Sequence, residues 1–132
     1  MTILVAYVSR PEGQAALDMA IEMSKERNEP LLVVNASPGG QQEDPSLTLA
    51  YEAEQIEALI AKQGINGEFK QFVRGKSAVE EINDLVETSN ISLVIIGLRK
   101  RTAVGKLILG SVAQEILMTV SCPVLCVKAH LG

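Results

Sequence analysis

Short apolar runs alternate along this chain with stretches of helical period. Residues 3–8, ILVAYV, form an uninterrupted apolar run and predict a strand buried on both faces. Ser9 then opens S-x-x-E with Glu12, the pattern of a capping box, and Pro11 suits a first helical turn. Ala16, Leu17, Ala20, Ile21 and Met23 recur at helical spacing to about Arg27. Residues 30–36 predict a second buried strand. The segment 38–46, PGGQQEDPS, predicts a mobile surface loop. Asp44 and Pro45 read as a cap and first residue of a helix running to about Gln63. Its stripe is Leu49, Ile56, Leu59 and Ile60, and Gly64 stops it.

A third, more polar strand is predicted over 68–73, and Gly75 turns the chain. Ser77 and Glu80 make a second capping box, ahead of a helix faced by Val79, Ile82, Leu85 and Val86. Residues 91–96 are the most apolar strand. Residues 97–110 read as a long basic connection, with helical character expected near 106–109. Ser111 and Gln114 make a third capping box, opening a helix that ends near Val120. Residues 123–127 predict a fifth strand.

The order βαβαβαβαβ, with strands apolar on both faces, predicts one three-layer α/β domain over 1–132. A parallel sheet is covered by helices on both sides, with right-handed crossovers. Ligands of such open sheets bind beyond the carboxyl ends of the strands, where strand order reverses. That directs attention to 7–10, 35–40, 74–77 and 97–111.

Composition narrows the partners. The chain has 132 residues, the size of one domain, and is 47% hydrophobic but only 3% aromatic. Aliphatic side chains must build the core, and few rings remain to stack on single-stranded nucleic acid. A net charge of −4 argues against broad binding to DNA or an acidic membrane face. The N-terminus enters its apolar run without a basic leader, and that run is too short to span a bilayer, so a cytoplasmic protein is expected. Cys122 and Cys126 fall four apart in one strand-like segment, roughly 13 Å along it and too far for a disulfide. Two reduced thiols buried in a cytosolic core are the expectation. His130 stands alone in the tail, without the companions a metal site needs.

Chemistry concentrates in GLRKRTAVGKLILGS. Arg99, Lys100, Arg101 and Lys106 bring four of the twelve basic residues into eight positions. Gly110 and Ser111 stand at a helix start, where free N–H groups and the helix dipole favour an anion and glycine permits close approach. A tight turn with an N-cap and a solvated basic loop would leave the same pattern, and the residues alone leave both readings open. The segment is neither a Walker A loop nor a GxGxxG fingerprint. Tyr7 reads first as a packing residue, though its place at a strand end keeps it in view.

Residues 97–111 resemble the signature of the universal stress protein family, G-x2-G-x9-G-[ST]. Gly97 matches its first glycine, and Gly110 with Ser111 matches its end without a gap. VAQEILMTVSCPVLCVK resembles the family's closing helix and CPVL strand, GKSAVEEI its G-x-x-A-x-x-I helix start, and ILVAYV its opening strand. The resemblance spans essentially the whole chain. It implies a Rossmann-like, adenine-nucleotide α-hydrolase-like fold with strand order 3-2-1-4-5 and a cleft between the first and fourth strands. The second glycine of the signature is Lys100 here, and the acidic residue that usually ends the first strand falls at Val8. Some members of the family bind ATP and others do not.

Two functional readings follow from the resemblance. One is a stress-response or signalling module that holds ATP or a related adenine nucleotide, magnesium being left open, without rapid turnover. The base would lie against Ala6, Tyr7 and Val34, Val8 would leave ribose or metal recognition without the family's carboxylate, and the phosphates would meet Gly97, Arg99, Lys100, Arg101, Gly110, Ser111 and Val112. The other is a nucleotide-free interaction protein. Either would be a homodimer through residues 121–129. No strand end carries an evident general base, so fast catalysis is not expected.

Overall fold

The strand nearest the N-terminus lies at the centre of the sheet. The computed structural model describes residues 1–36, 46–70, 77–101 and 106–129. In chain order these form β1 (Thr2–Tyr7), α1 (Pro11–Arg27), β2 (Leu31–Asn35), α2 (Ser46–Lys62) and β3 (Gly67–Lys70). There follow α3 (Ala78–Thr88), β4 (Ile91–Arg101), β5 (Lys106–Ile108), α4 (Ser111–Thr119) and β6 (Val124–Lys128). β1 pairs in parallel with β2 on one side and β4 on the other. β3 extends the sheet beyond β2, and β6 extends it beyond β4. With β6 as the fifth strand of the sequence reading, the parallel order is the expected 3-2-1-4-5.

Strand alternation distributes the core between the two faces. Ile3, Val5 and Tyr7 meet Leu17 and Ala20 of α1 and Ile56 and Ile60 of α2. Leu4 and Ala6 meet Ile82 and Leu85 of α3 and Ile116 of α4. Ile3, Leu4, Val5, Ile95 and Ile82 are completely enclosed. Every crossover from strand to strand therefore returns a helix onto a continuous aliphatic layer, which is what holds parallel strands together.

Three local expectations are corrected. Residues 106–109 are not helical: β4 runs on past Gly97 to Arg101, and β5 folds back antiparallel on it, pairing Arg99 with Ile108 and Arg101 with Lys106. The free edge of an overlong β4 supplies backbone partners that a three-residue helical fragment would lack. Ser9 does not cap α1. The cap residue is Arg10, in extended conformation without a side-chain hydrogen bond, and the Ser9 hydroxyl donates to Glu52 Oε1 at 2.6 Å. Ser111 is the first residue of α4 and Gly110 its cap, so the third capping box is also absent. The second is half made, since Ser77 Oγ accepts from the Glu80 amide at 3.1 Å.

Both thiols are free and partly buried, and burial pushes the Cys122 thiol up, with backbone hydrogen bonds at Cys122 and Val94 offsetting part of the rise. The expected loop at 38–45, with its Asp44 and Pro45 cap, and the turn at Gly75 lie outside the described residues. So do residues 71–73 of the third predicted strand, and His130. Among the described residues no helix is long and apolar enough to cross a membrane.

Candidate functional site

The chain leaves β1 toward β2 on one side and later returns to pair β4 on the other. The segments following β1 and β4 therefore diverge, and an open cleft remains between the carboxyl ends of these strands. Its floor and inner wall are aliphatic: Ala6 from β1, Ala36 just after β2, Ile96 from β4, and Ala113 and Ile116 from α4. Ala36 is held there by its amide, which donates to the Tyr7 carbonyl at 2.8 Å. The mouth is polar. Arg10 and Glu12 come from the start of α1, Arg99 from β4, and Gly110 and Ser111 from the start of α4.

Two glycines bring α1 onto the sheet. A Cβ at Gly13 would stand 1.8 Å from the Val8 carbonyl oxygen, and one at Gly97 would stand 2.1 Å from that of Glu12. Glycine lets the backbones touch, and the first turn of α1 is pressed against the ends of both β1 and β4. That contact buries Glu12, whose Oε2 lies 3.5 Å from Arg99 Nε. Neither carboxylate oxygen has a hydrogen-bond partner among the described residues.

Gly110 is different. It caps α4 with φ −62° and ψ 158°, an ordinary extended conformation, and it is exposed. No described atom lies within 4 Å of where its Cβ would be. The first helical hydrogen bond runs from the Gln114 amide to the Gly110 carbonyl at 2.8 Å. Helix geometry leaves the amides of Ser111, Val112 and Ala113 without an intrahelical acceptor. These amides, the helix dipole and the half-exposed Arg99 guanidinium favour an anion at this end of the cleft. The aliphatic end suits a flat apolar group. Among the described residues no cluster of three or more acidic, His or Cys ligands is assembled for a metal.

Of the residues singled out from sequence, Ala6, Val8, Gly97, Arg99, Gly110, Ser111 and Val112 line this cleft together. Tyr7 and Val34 do not. Tyr7 points to the opposite face of β1 and meets Phe69 edge-on, with ring centroids 6.3 Å apart. Burial pushes its phenol above the ordinary range, Glu52 adds to the rise, and a hydrogen bond with Ser9 offsets part of it. Val34 shares the face of Ala6 but lies enclosed in the core. Lys100 and Arg101 sit in β4 opposite Leu107 and Lys106; their side chains lie outside the described part of the structure. Arg10, Ala36 and Ile108 fall in the stretches to which the strand ends direct attention, though none is singled out there, and sequence reasoning missed Glu12, Ile96, Ala113 and Ile116 as lining residues. Glu12 was hidden by its apparent use as a cap, and Ile108 by the expected helix.

The sequence profile of the universal stress protein family matches residues 1–128. A universal stress protein of Mycolicibacterium smegmatis is 40% identical over 128 residues, covering 97% of this chain and 98% of the relative. Among solved structures, a universal stress protein from Archaeoglobus fulgidus superposes with a TM-score of 0.74 at 33% identity, covering 96% of this chain and 97% of the other. The universal stress protein from Archaeoglobus fulgidus in complex with dAMP superposes with a TM-score of 0.68 at 27% identity, covering 96% of each chain.

Proposed function

Because this chain belongs to the universal stress protein family, we propose that it is a cytoplasmic stress-response or signalling module. In this reading it binds ATP or a related adenine nucleotide in the cleft between β1 and β4 and holds it without rapid turnover. The observation that carries the proposal is the chemical polarity of the cleft. An aliphatic wall of Ala6, Ala36, Ile96 and Ile116 suits the base, and the open Gly110 cap with the free amides of α4 suits the phosphates. The dAMP bound by the Archaeoglobus fulgidus relative supports a ligand of this class. Arg99 contributes charge at the mouth, and Lys100, where the family signature has glycine, adds another cation on the same strand. With Val8 where the family pattern has an acidic residue, the expected affinity for ATP is micromolar.

Calorimetry with ATP, with and without magnesium, tests this reading. Heat with a micromolar Kd and a matching thermal shift is expected, and phosphate release should fall far below the enzyme median of about ten per second. No heat and no shift at millimolar ATP would sink it.

A second reading, a dimeric interaction protein without nucleotide, draws on the sheet edge. β6 pairs only with β4 among the described residues, its apolar side chains are half-buried, and Met118 of neighbouring α4 is 76% exposed. Such an edge invites pairing with a second copy about a two-fold axis. Light scattering at micromolar concentration should give the mass of a dimer, and a clean monomer mass would overturn this assembly.

A further inference from the structure

The first turn of α1 holds a buried carboxylate that accepts no hydrogen bond from the described residues. Glu12 is 6% exposed and lines the cleft, and neither Oε1 nor Oε2 accepts a hydrogen bond from the described residues. Arg99 Nε, at 3.5 Å from Oε2, attracts the charge but stands beyond normal hydrogen-bond length. A carboxylate has about four acceptor positions, and burying them unfilled is costly. Backbone packing imposes this location: the glycines at 13 and 97 let the turn settle against Val8 and β4. The carboxylate is therefore held in place before any ligand arrives.

Its position along the cleft identifies what it meets. On β4, Ile96 belongs to the aliphatic wall, Gly97 lies under Glu12, and Arg99 opens the cationic mouth. Glu12, far more deeply buried than Arg99, thus belongs to the deeper part of the polar mouth, beyond the aliphatic wall. In a nucleotide the group between base and phosphate is the sugar. A phosphate oxygen next to Glu12 would meet like charge, whereas ribose offers two O–H donors on adjacent carbons to the two oxygens of one carboxylate.

Resting on the nucleotide reading above, we infer that Glu12 is the sugar-recognition residue of the cleft, accepting hydrogen bonds from the 2′- and 3′-hydroxyls of ribose. Nucleotides without those hydroxyls leave the buried carboxylate as unsatisfied as it is in the free protein, and are discriminated against for that reason.

The test is calorimetry with ATP and 2′,3′-dideoxy-ATP, each in EDTA and in magnesium, on wild type, Glu12→Gln and Glu12→Met. Wild type is expected to prefer ATP by at least about tenfold, the scale of a hydrogen bond to a charged group. Glu12→Met, of similar length and without acceptors, should bring the two ligands within about twofold, while its affinity for the dideoxy nucleotide stays within about threefold of wild type. Glu12→Gln, which keeps one acceptor, should fall between, and it carries the test if Glu12→Met does not fold. A tenfold preference that survives in the variants, or no preference in wild type, overturns the inference and leaves the nucleotide reading standing. So does a loss that is equal for both ligands and seen only with magnesium, which would make Glu12 a cation ligand. Wild type binding neither nucleotide overturns the nucleotide reading itself, and this inference with it.

Discussion

Gly97→Ala is expected to destabilise the protein by about 3 kcal/mol, the upper end for forcing one methyl group into a packed interior. The new Cβ would stand 2.1 Å from the Glu12 carbonyl oxygen, 2.6 Å from its carbonyl carbon and 3.0 Å from its Cβ. These are backbone and near-backbone atoms, so no rotamer change relieves the clash, and the first turn of α1 must back away from β4. Urea unfolding followed by far-ultraviolet circular dichroism measures the effect, and an unchanged midpoint would show that α1 is not pressed on Gly97 as described. Retreat of α1 also carries Glu12 away from Arg99, so the variant should bind nucleotide more weakly even where it remains folded.

Gly110→Val should do the reverse, leaving the fold intact and abolishing nucleotide binding. The backbone at Gly110 is extended and within reach of any residue, and no described atom lies within 4 Å of its Cβ position. Valine caps a helix less well than glycine, so the change costs about 1 kcal/mol, well short of unfolding the domain. The valine branches would, however, cover the amides of Ser111 and Val112, and a phosphate that approaches them must displace the side chain. A loss of affinity of about a hundredfold or more is expected, as for removal of several charge-assisted hydrogen bonds together. Calorimetry beside a thermal melt separates the two effects. Normal binding by this variant would place the nucleotide elsewhere. The first and last glycines of one signature thus serve different masters: Gly97 is required by the packing of α1, and Gly110 by whatever approaches α4.

The architecture was legible because strand and helix periods differ and because each strand here is apolar on both faces. That same apolarity hid the site's details. In a run such as ILVAYV nothing in composition marks which residues face which side, so Ala6 and Tyr7 were both assigned to the cleft although neighbours on a strand point oppositely. Val34 shares the face of Ala6 and lies beside it on β2, yet does not line the cleft. The S-x-x-E pattern at Ser9 is a local rule, and it lost to two non-local demands, the contact of Ser9 with Glu52 and the docking of α1 on Gly97. Three residues, Lys106–Ile108, carry too little periodicity to announce a strand, and only the overlong β4 makes them one. Ala113 lies beyond the stretches that the strand ends point to, and a small residue signals nothing until its neighbours are known.

The central place of β1 has a consequence for how the chain is made. Val5 pairs with Ile95, so the first strand to leave the ribosome waits for a neighbour about ninety residues behind it. At usual elongation rates of about 5–20 residues per second, that delay is roughly 5–20 s. During it, β1 and β2 can already meet α1 and α2, but one edge of β1 and the face that later meets α4 stay uncovered, the kind of surface that chaperones hold and that aggregates otherwise. The cleft between β1 and β4 does not exist until that wait is over. A ligand can therefore stabilise the finished protein but cannot guide the nascent one.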